Sequence, residues 1–387
     1  MKCTESALEL LSISRSCRRA PGAIRSSHWL ALVAAGVVAA QCFAPGATAE
    51  RLGPNGVTAD IDQTPAACRS GCTIEQKSVV TLSGVEITTI SGRVVRDSRG
   101  RYAAVSADSP QLLVFDAQGR LLDSPRPNVG LIAGFFVDPL GAVQAYDMRS
   151  GSLLTFDADY QVTTKTELPQ PPALPLGSGR WLVVRQIPTP ALVGHPLHVM
   201  SNDGVIVRSF GADDGPFRSA DVFKNSRAVC VNPDGTIWSI APGGRLLERW
   251  DTSTGRRVAQ VTVQSTWFRE SSRPAPADQV ASPFVLTIWA EEDLVWILYK
   301  APDPQWIPRR ISDEEELAAT PRERAELEDR RFDWVLEAVG SDTGSVVAMR
   351  RFDRELLRRG GSFAIASAAS DNRAEGVELW TPIVVRK

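Results

Sequence analysis

The chain has 387 residues, 43% hydrophobic and 23% charged, enough apolar material for a large buried core and too much for a disordered polymer. Its formal net charge is −2, and the first 49 residues carry five basic against two acidic side chains, so the remainder sits near −5. That balance excludes a nucleic-acid binder, which needs a basic face. The length suits one long all-β domain as readily as two smaller domains.

Residues 1–49 are expected to be an export signal. Arginines fill the start, and the apolar run Trp29–Ala40 has the length of a signal core. It is too short for a comfortable membrane span. Ala47-Thr48-Ala49 gives the small-x-small cleavage pattern, so the mature chain would begin at Glu50 in the periplasm or outside the cell, with no transmembrane span. Retention as an uncleaved anchor is one alternative. Lipid attachment at Cys42 is another, disfavoured by Gln41 where a small residue is wanted.

Residues 50–74, rich in Pro, Gly, Ala and Thr, read as a linker. Cys68 and Cys72 bracket Arg69-Ser70-Gly71, a spacing that in an exported protein reads as a local disulfide. Zinc is the weaker reading, because no His or further Cys lies nearby. Cys230, inside Ala228-Val229-Cys230-Val231, reads as a buried core thiol.

From residue 75 onward one unit recurs every 40 to 60 residues: apolar strand, Asp/Asn turn with Gly, apolar strand. Its copies include Leu112–Phe115 before Asp116-Ala117-Gln118-Gly119, and Leu153–Phe156 before Asp157-Ala158-Asp159-Tyr160. Others are His198–Ser201 before Asn202-Asp203-Gly204, Leu247–Trp250 before Asp251, and Val339 before Ser341-Asp342-Thr343-Gly344. Short strands with Asp/Gly turns at such a period predict a β-propeller. The expectation is six blades of four antiparallel strands over 75–387. Blade six has strands at Ser362–Ala368 and Val377–Val385 but lacks an outer partner. Lys77–Leu82 is the strand expected to complete it and close the ring. One helical insertion is predicted in blade five over about 312–331. There Ser312 precedes an acidic first turn and Thr320-Pro321-Arg322-Glu323 forms a capping pattern.

The segments Phe136-Val137-Asp138-Pro139-Leu140-Gly141 and Val231-Asn232-Pro233-Asp234-Gly235, with the Phe115-Asp116 and Phe156-Asp157 hairpins, resemble six-bladed propellers of the NHL and TolB-like kind. Such relatives include secreted binding scaffolds, sugar-lactone hydrolases and peptide-amidating lyases. The resemblance therefore implies the fold and leaves two functions open. One is a monomeric binding scaffold for a protein, peptide or glycan. The other is a calcium-assisted hydrolase or lyase acting at the central channel, whose ligands cannot be placed residue by residue in this chain.

Loop lengths favour the scaffold. Hairpin turns are short, whereas 187–196, 212–226, 264–282 and 300–331 are long, and all open on one face of a propeller. They carry the candidate ligand contacts His195, Arg218, Trp267, Phe268, Arg269, Trp306, Arg309 and Arg310. Aromatic rings beside arginine suit an anionic, peptide or sugar ligand. The competing role for the aromatics is to pin down their own loops. His195 and His198, read as strand neighbours three apart, would point to opposite faces and share no metal. No catalytic residue and no cofactor is assigned. Asp97, Asp138 and Asn232 are expected to bond their own turns.

Overall fold

A computed structural model describes residues 71–85, 90–106, 111–123, 131–138, 141–187, 189, 192, 194–211, 226–232, 234–270, 282–302, 332–352, 356–357, 364–367 and 376–386. The described strands sort into four-stranded antiparallel sheets, six in number, each a propeller blade. The first holds β2 (Ile90–Arg96), β3 (Tyr102–Ser106), β4 (Leu112–Phe115) and β5 (Leu121–Asp123). The second holds β6 (Ile132–Val137), β7 (Val143–Asp147), β8 (Ser152–Phe156) and β9 (Val162–Glu167). The third holds β10 (Leu174–Gly177), β11 (Arg180–Val184), β12 (Leu197–Ser201) and β13 (Ile206–Phe210). The fourth holds β14 (Ala228–Val231), β15 (Thr236–Ile240), β16 (Leu246–Asp251) and β17 (Arg257–Thr262). The fifth holds β18 (Phe284–Glu291), β19 (Leu294–Pro302), β20 (Phe332–Gly340) and β21 (Val346–Phe352). The last is ordered β22 (Leu356–Leu357), β23 (Ala364–Ser367), β24 (Gly376–Arg386), β1 (Cys72–Ser83).

Composition tells the strands of a blade apart. Inner strands are apolar on both faces because both are covered by neighbouring sheets: every residue of Ala228-Val229-Cys230-Val231 is buried. Rim strands are polar and exposed, as in Val162-Thr163-Thr164-Lys165-Thr166-Glu167. Apolar side chains of adjacent blades interlock, and the largest cluster runs from β14 through the fifth sheet to Ile74 and Trp380.

The strand at Lys77–Leu82 pairs with β24 along its whole length, from Cys72 opposite Arg386 to Ser83 opposite Gly376. It reaches back to Cys72, into the stretch read as linker. The N-terminal strand thus sits beside the C-terminal one and forms the outer edge of that sheet. The sheet's inner strand, Leu356-Leu357, escaped the sequence reading: two residues flanked by charged ones carry no alternation to detect. The helical insertion expected over 312–331 lies outside the described residues, and so does Cys68. Cys230 is a buried thiol outside any disulfide, whereas Cys72 has a bonded partner.

Hairpin turns follow Asx chemistry. Asp97 Oδ1 accepts the amides of Arg99 and Arg101 at 2.9 Å, and Asp116 Oδ1 does the same for Gln118 and Arg120. Asp138 Oδ1 accepts the Ala142 amide at 2.8 Å. Glycine in the third-to-fourth turns serves close approach between blades. A Cβ at Gly119 would stand 2.1 Å from the Thr81 carbonyl oxygen, and one at Gly344 2.2 Å from that of Thr262. At Gly204 it would meet Pro169 at 2.4 Å, and at Gly255 Arg208 at 3.0 Å.

The fifth sheet and the closing sheet meet across an unusually aromatic seam. Trp289 and Trp296 stack at 5.8 Å, Trp334 and Trp380 are fully buried, and Arg350 Nη1 donates to the Ile74 carbonyl at 3.1 Å. Thr287, 1% exposed, has a hydroxyl with no hydrogen-bond partner. Thr287→Val keeps the shape and removes that unpaired group, so it should raise stability by about 1 kcal/mol, read as a higher midpoint in urea. A fall of the same size would mean the hydroxyl is bonded in solution.

Candidate functional site: the long-loop face

Successive antiparallel strands reverse direction, so first-to-second and third-to-fourth connections share one end of every blade. Second-to-third connections and the links between blades share the other. The long connections fall at the second end: 185–196, 211–227, 263–283 and 303–331. Short turns such as 241–245, between β15 and β16, lie there too.

The best-defined part of this face is the start of the link from the fourth to the fifth sheet. Arg245 grips it from one side: Nε donates to the Val263 carbonyl and Nη2 to that of Ser265, both at 2.9 Å. The Arg245 amide donates to Glu270 Oε1 at 3.1 Å. Glu337 grips it from the other side. This side chain, on β20 opposite Ile297, is 0% exposed. Its Oε1 accepts the Ser265 hydroxyl at 2.7 Å and the Trp267 indole N–H at 2.8 Å, while Oε2 has no partner. Three rings close the cluster: Trp267 lies edge-on to Tyr299 at 5.2 Å and to Phe268 at 5.8 Å, and Phe268 meets Tyr299 at 5.0 Å.

Burial pushes the Glu337 carboxyl above the ordinary carboxylate range. Hydrogen bonds from Ser265 and Trp267, the nearby Tyr299 hydroxyl and the charge of Arg245 offset part of that. Burial, then the adjacent Glu337, holds the Tyr299 hydroxyl well above its usual value.

These positions sort the sequence candidates. Phe268 is corrected: at 3% exposure it belongs to the core and offers a ligand nothing. Trp267 is half-buried and its polar edge is spent on Glu337, so it anchors the link and leaves only part of its ring to solvent. Arg269 is exposed. Arg218, Trp306, Arg309 and Arg310 lie outside the described residues. Glu337 was missed because Trp334-Val335-Leu336-Glu337-Ala338-Val339 reads as a plain core strand. A lone acid in that run was the available signal.

His195 lies in the connection before β12, not on a strand, so the alternation argument for it fails. It is half-buried, with an unpartnered Nδ1. His198 is 0% exposed and both ring nitrogens are engaged, Nδ1 with Ser209 Oγ at 2.7 Å and Nε2 with the Arg185 carbonyl at 3.0 Å. A carbonyl only accepts, so Nε2 carries the proton and Nδ1 accepts from Ser209. No lone pair remains for a metal. Burial, foremost, and nearby positive charge depress this imidazole to about 4. Among the described residues no three His, Cys, Asp or Glu side chains converge to hold a metal ion. Among the same residues no helix is long and apolar enough to cross a membrane.

No family model and no curated protein matches the chain. Solved structures do. A DUF4221 family member from Bacteroides vulgatus superposes with TM-score 0.56 at 7% identity, covering 81% of this chain and 99% of that one. A Bacteroides fragilis protein assigned as exported gives 0.49 at 13% identity, over 82% and 95%. Virginiamycin B lyase of Staphylococcus aureus gives 0.41 at 11% identity, over 81% and 100%. The first likeness establishes the fold class and no more: this is a β-propeller with four-stranded antiparallel blades.

Proposed function

We propose that the protein is an exported binding scaffold, a single six-bladed ring of the NHL/TolB-like kind that engages a protein, peptide or glycan through its long-loop face. The observation that carries this is the asymmetry of the two faces. On one, the turns are short and their Asp side chains bond the turns' own amides, as at Asp97 and Asp116. On the other, where the long connections lie, Arg245 and Glu337 clip the start of the link from the fourth to the fifth sheet onto the blades, which holds Arg269 and part of Trp267 at the surface. His195, Arg218, Trp306, Arg309 and Arg310 are the further contacts in this reading. Export through cleavage after Ala49 and a Cys68–Cys72 bridge pinning the closing strand belong to the same proposal, and a Cys72 that is not free supports the bridge.

Two measurements test it. Replacing 303–331 with a short Gly/Ser linker and Arg269 with Ala should leave the fold intact and weaken partner capture at least about tenfold. A folded variant that kept every partner would sink the proposal. Thermal unfolding of 50–387 in EDTA, then in calcium, decides the rival reading. A bound ion raises the midpoint by mass action, so a calcium-dependent rise would shift the assignment to a hydrolase or lyase at the channel. An unchanged midpoint is the result expected for the scaffold.

A further inference from the structure

Four third-to-fourth turns close against the preceding blade through a glycine at left-handed φ: Gly119 (82°), Gly204 (80°), Gly255 (72°) and Gly344 (69°). The second blade breaks the pattern. Its turn Asp157-Ala158-Asp159-Tyr160 places a tyrosine at φ 58°, a conformation that costs an L side chain roughly 1–2 kcal/mol. The ring does not close the gap but props it. Tyr160 is 3% exposed, donates its hydroxyl to Asp97 Oδ2 at 3.1 Å, and lies under the Arg101 guanidinium at 4.9 Å. Arg101 is fixed in turn, Nε to Asp97 Oδ2 at 2.8 Å and Nη2 to the Ala158 carbonyl at 2.6 Å. Between the two blades, on the short-turn face, this leaves a cavity of about 250 Å³.

We propose that this cavity is a binding site for a small, uncharged, hydroxyl-rich molecule, a single sugar ring or the end of a glycan. Its charged lining sums to zero: Asp97 and Asp157 against Arg99 and Arg101. An anion would meet two carboxylates and a cation two guanidiniums, whereas a neutral molecule with neighbouring hydroxyls uses both kinds. Unspent groups of both kinds are present. Arg99 keeps its side chain 57% exposed, with its nearest acid, Asp159, at 4.0 Å. Asp157 uses one carboxylate oxygen on the amides of Asp159 and Gln161, leaving the other as an acceptor. Ser98 adds a hydroxyl-bearing side chain to the lining. Asp97, Arg101 and Tyr160 bind one another and form a rigid wall. The site is independent of the long-loop face.

The test is calorimetric titration of the full chain with methyl hexosides, against acetate, phosphate and ethylammonium. One hexoside should saturate weakly, with Kd about 1–10 mM for so small a site. Arg99→Ala, on an exposed side chain, should weaken it about tenfold or more. Tyr160→Gly removes the prop and the left-handed strain together. It should stay folded by circular dichroism and lose saturation altogether. No saturation by any hexoside, binding unchanged in both variants, or preferential binding of an anion or amine would each overturn the proposal.

Discussion

Replacing Glu337 with alanine should lower unfolding free energy by about 3–5 kcal/mol and release the link at 263–270 from the fifth blade. The magnitude follows from two losses. The Ser265 hydroxyl and the Trp267 indole would remain buried with no acceptor, at roughly 1–3 kcal/mol for each such group. A void would also open under Tyr299, and buried large-to-small changes cost a few kcal/mol by themselves. Glu337→Gln separates the bonds from the charge. Its amide oxygen can still accept from both donors, so stability should stay within about 1 kcal/mol of wild type. The pH dependence goes further. Burial raises the folded carboxyl above its unfolded value of 4.5, so the folded protein holds this proton more tightly. Stability from this group is therefore full below about pH 4.5 and is lost as pH rises through the folded value. The wild type should lose ground relative to Glu337→Gln across that window, followed by urea midpoints in steps of pH. Parallel curves would mean that Glu337 stays ionised at all these values. A stable Glu337→Ala protein with unchanged Trp267 fluorescence would show that the link is held by other contacts.

The sequence made the blade repeat legible and left the loop chemistry obscure, for one physical reason. Strand alternation and Asx-Gly turns are local: Asp97, Asp116 and Asp157 bond amides two to four residues away. The repeat could therefore be read from neighbours in the chain. Closure by Lys77–Leu82 was legible too, because a strand pattern with no local partner must find one elsewhere. Glu337 and Trp267 are 70 residues apart, and Tyr160 and Asp97 are 63 apart. Nothing near either residue announces its partner. An aromatic beside an arginine at 267–269 looked like an exposed contact, since burial of Phe268 depends on Tyr299 in the next blade. The one local clue to the cavity was overlooked: Tyr160 stands where the sister turns carry glycine.

Acid should destabilise this protein through His198. The imidazole is about 4 in the folded state against 6.5 unfolded. Above pH 6.5 both states are neutral and its contribution is complete. As pH falls from 6.5 toward 4 the unfolded chain takes up a proton that the folded protein refuses, and stability drops by about 3 kcal/mol over the interval. The physical cause lies in the surroundings. The neutral ring already has a partner for each nitrogen, Ser209 and the Arg185 carbonyl, and it is closed off from water. A second proton would add charge to a buried site that already lies near the Arg185 guanidinium. Glu337 works in the opposite sense in the lower part of this range, since protonation relieves its own burial, so the bare wild-type curve mixes the two. His198→Gln isolates the histidine. A glutamine amide can donate to the Arg185 carbonyl and accept from Ser209 without titrating, so the variant should lose most of the wild-type slope between pH 6.5 and 4. If the two proteins fall in step over that interval, His198 is protonated in the folded state, and the ring cannot be as closed off as its contacts require.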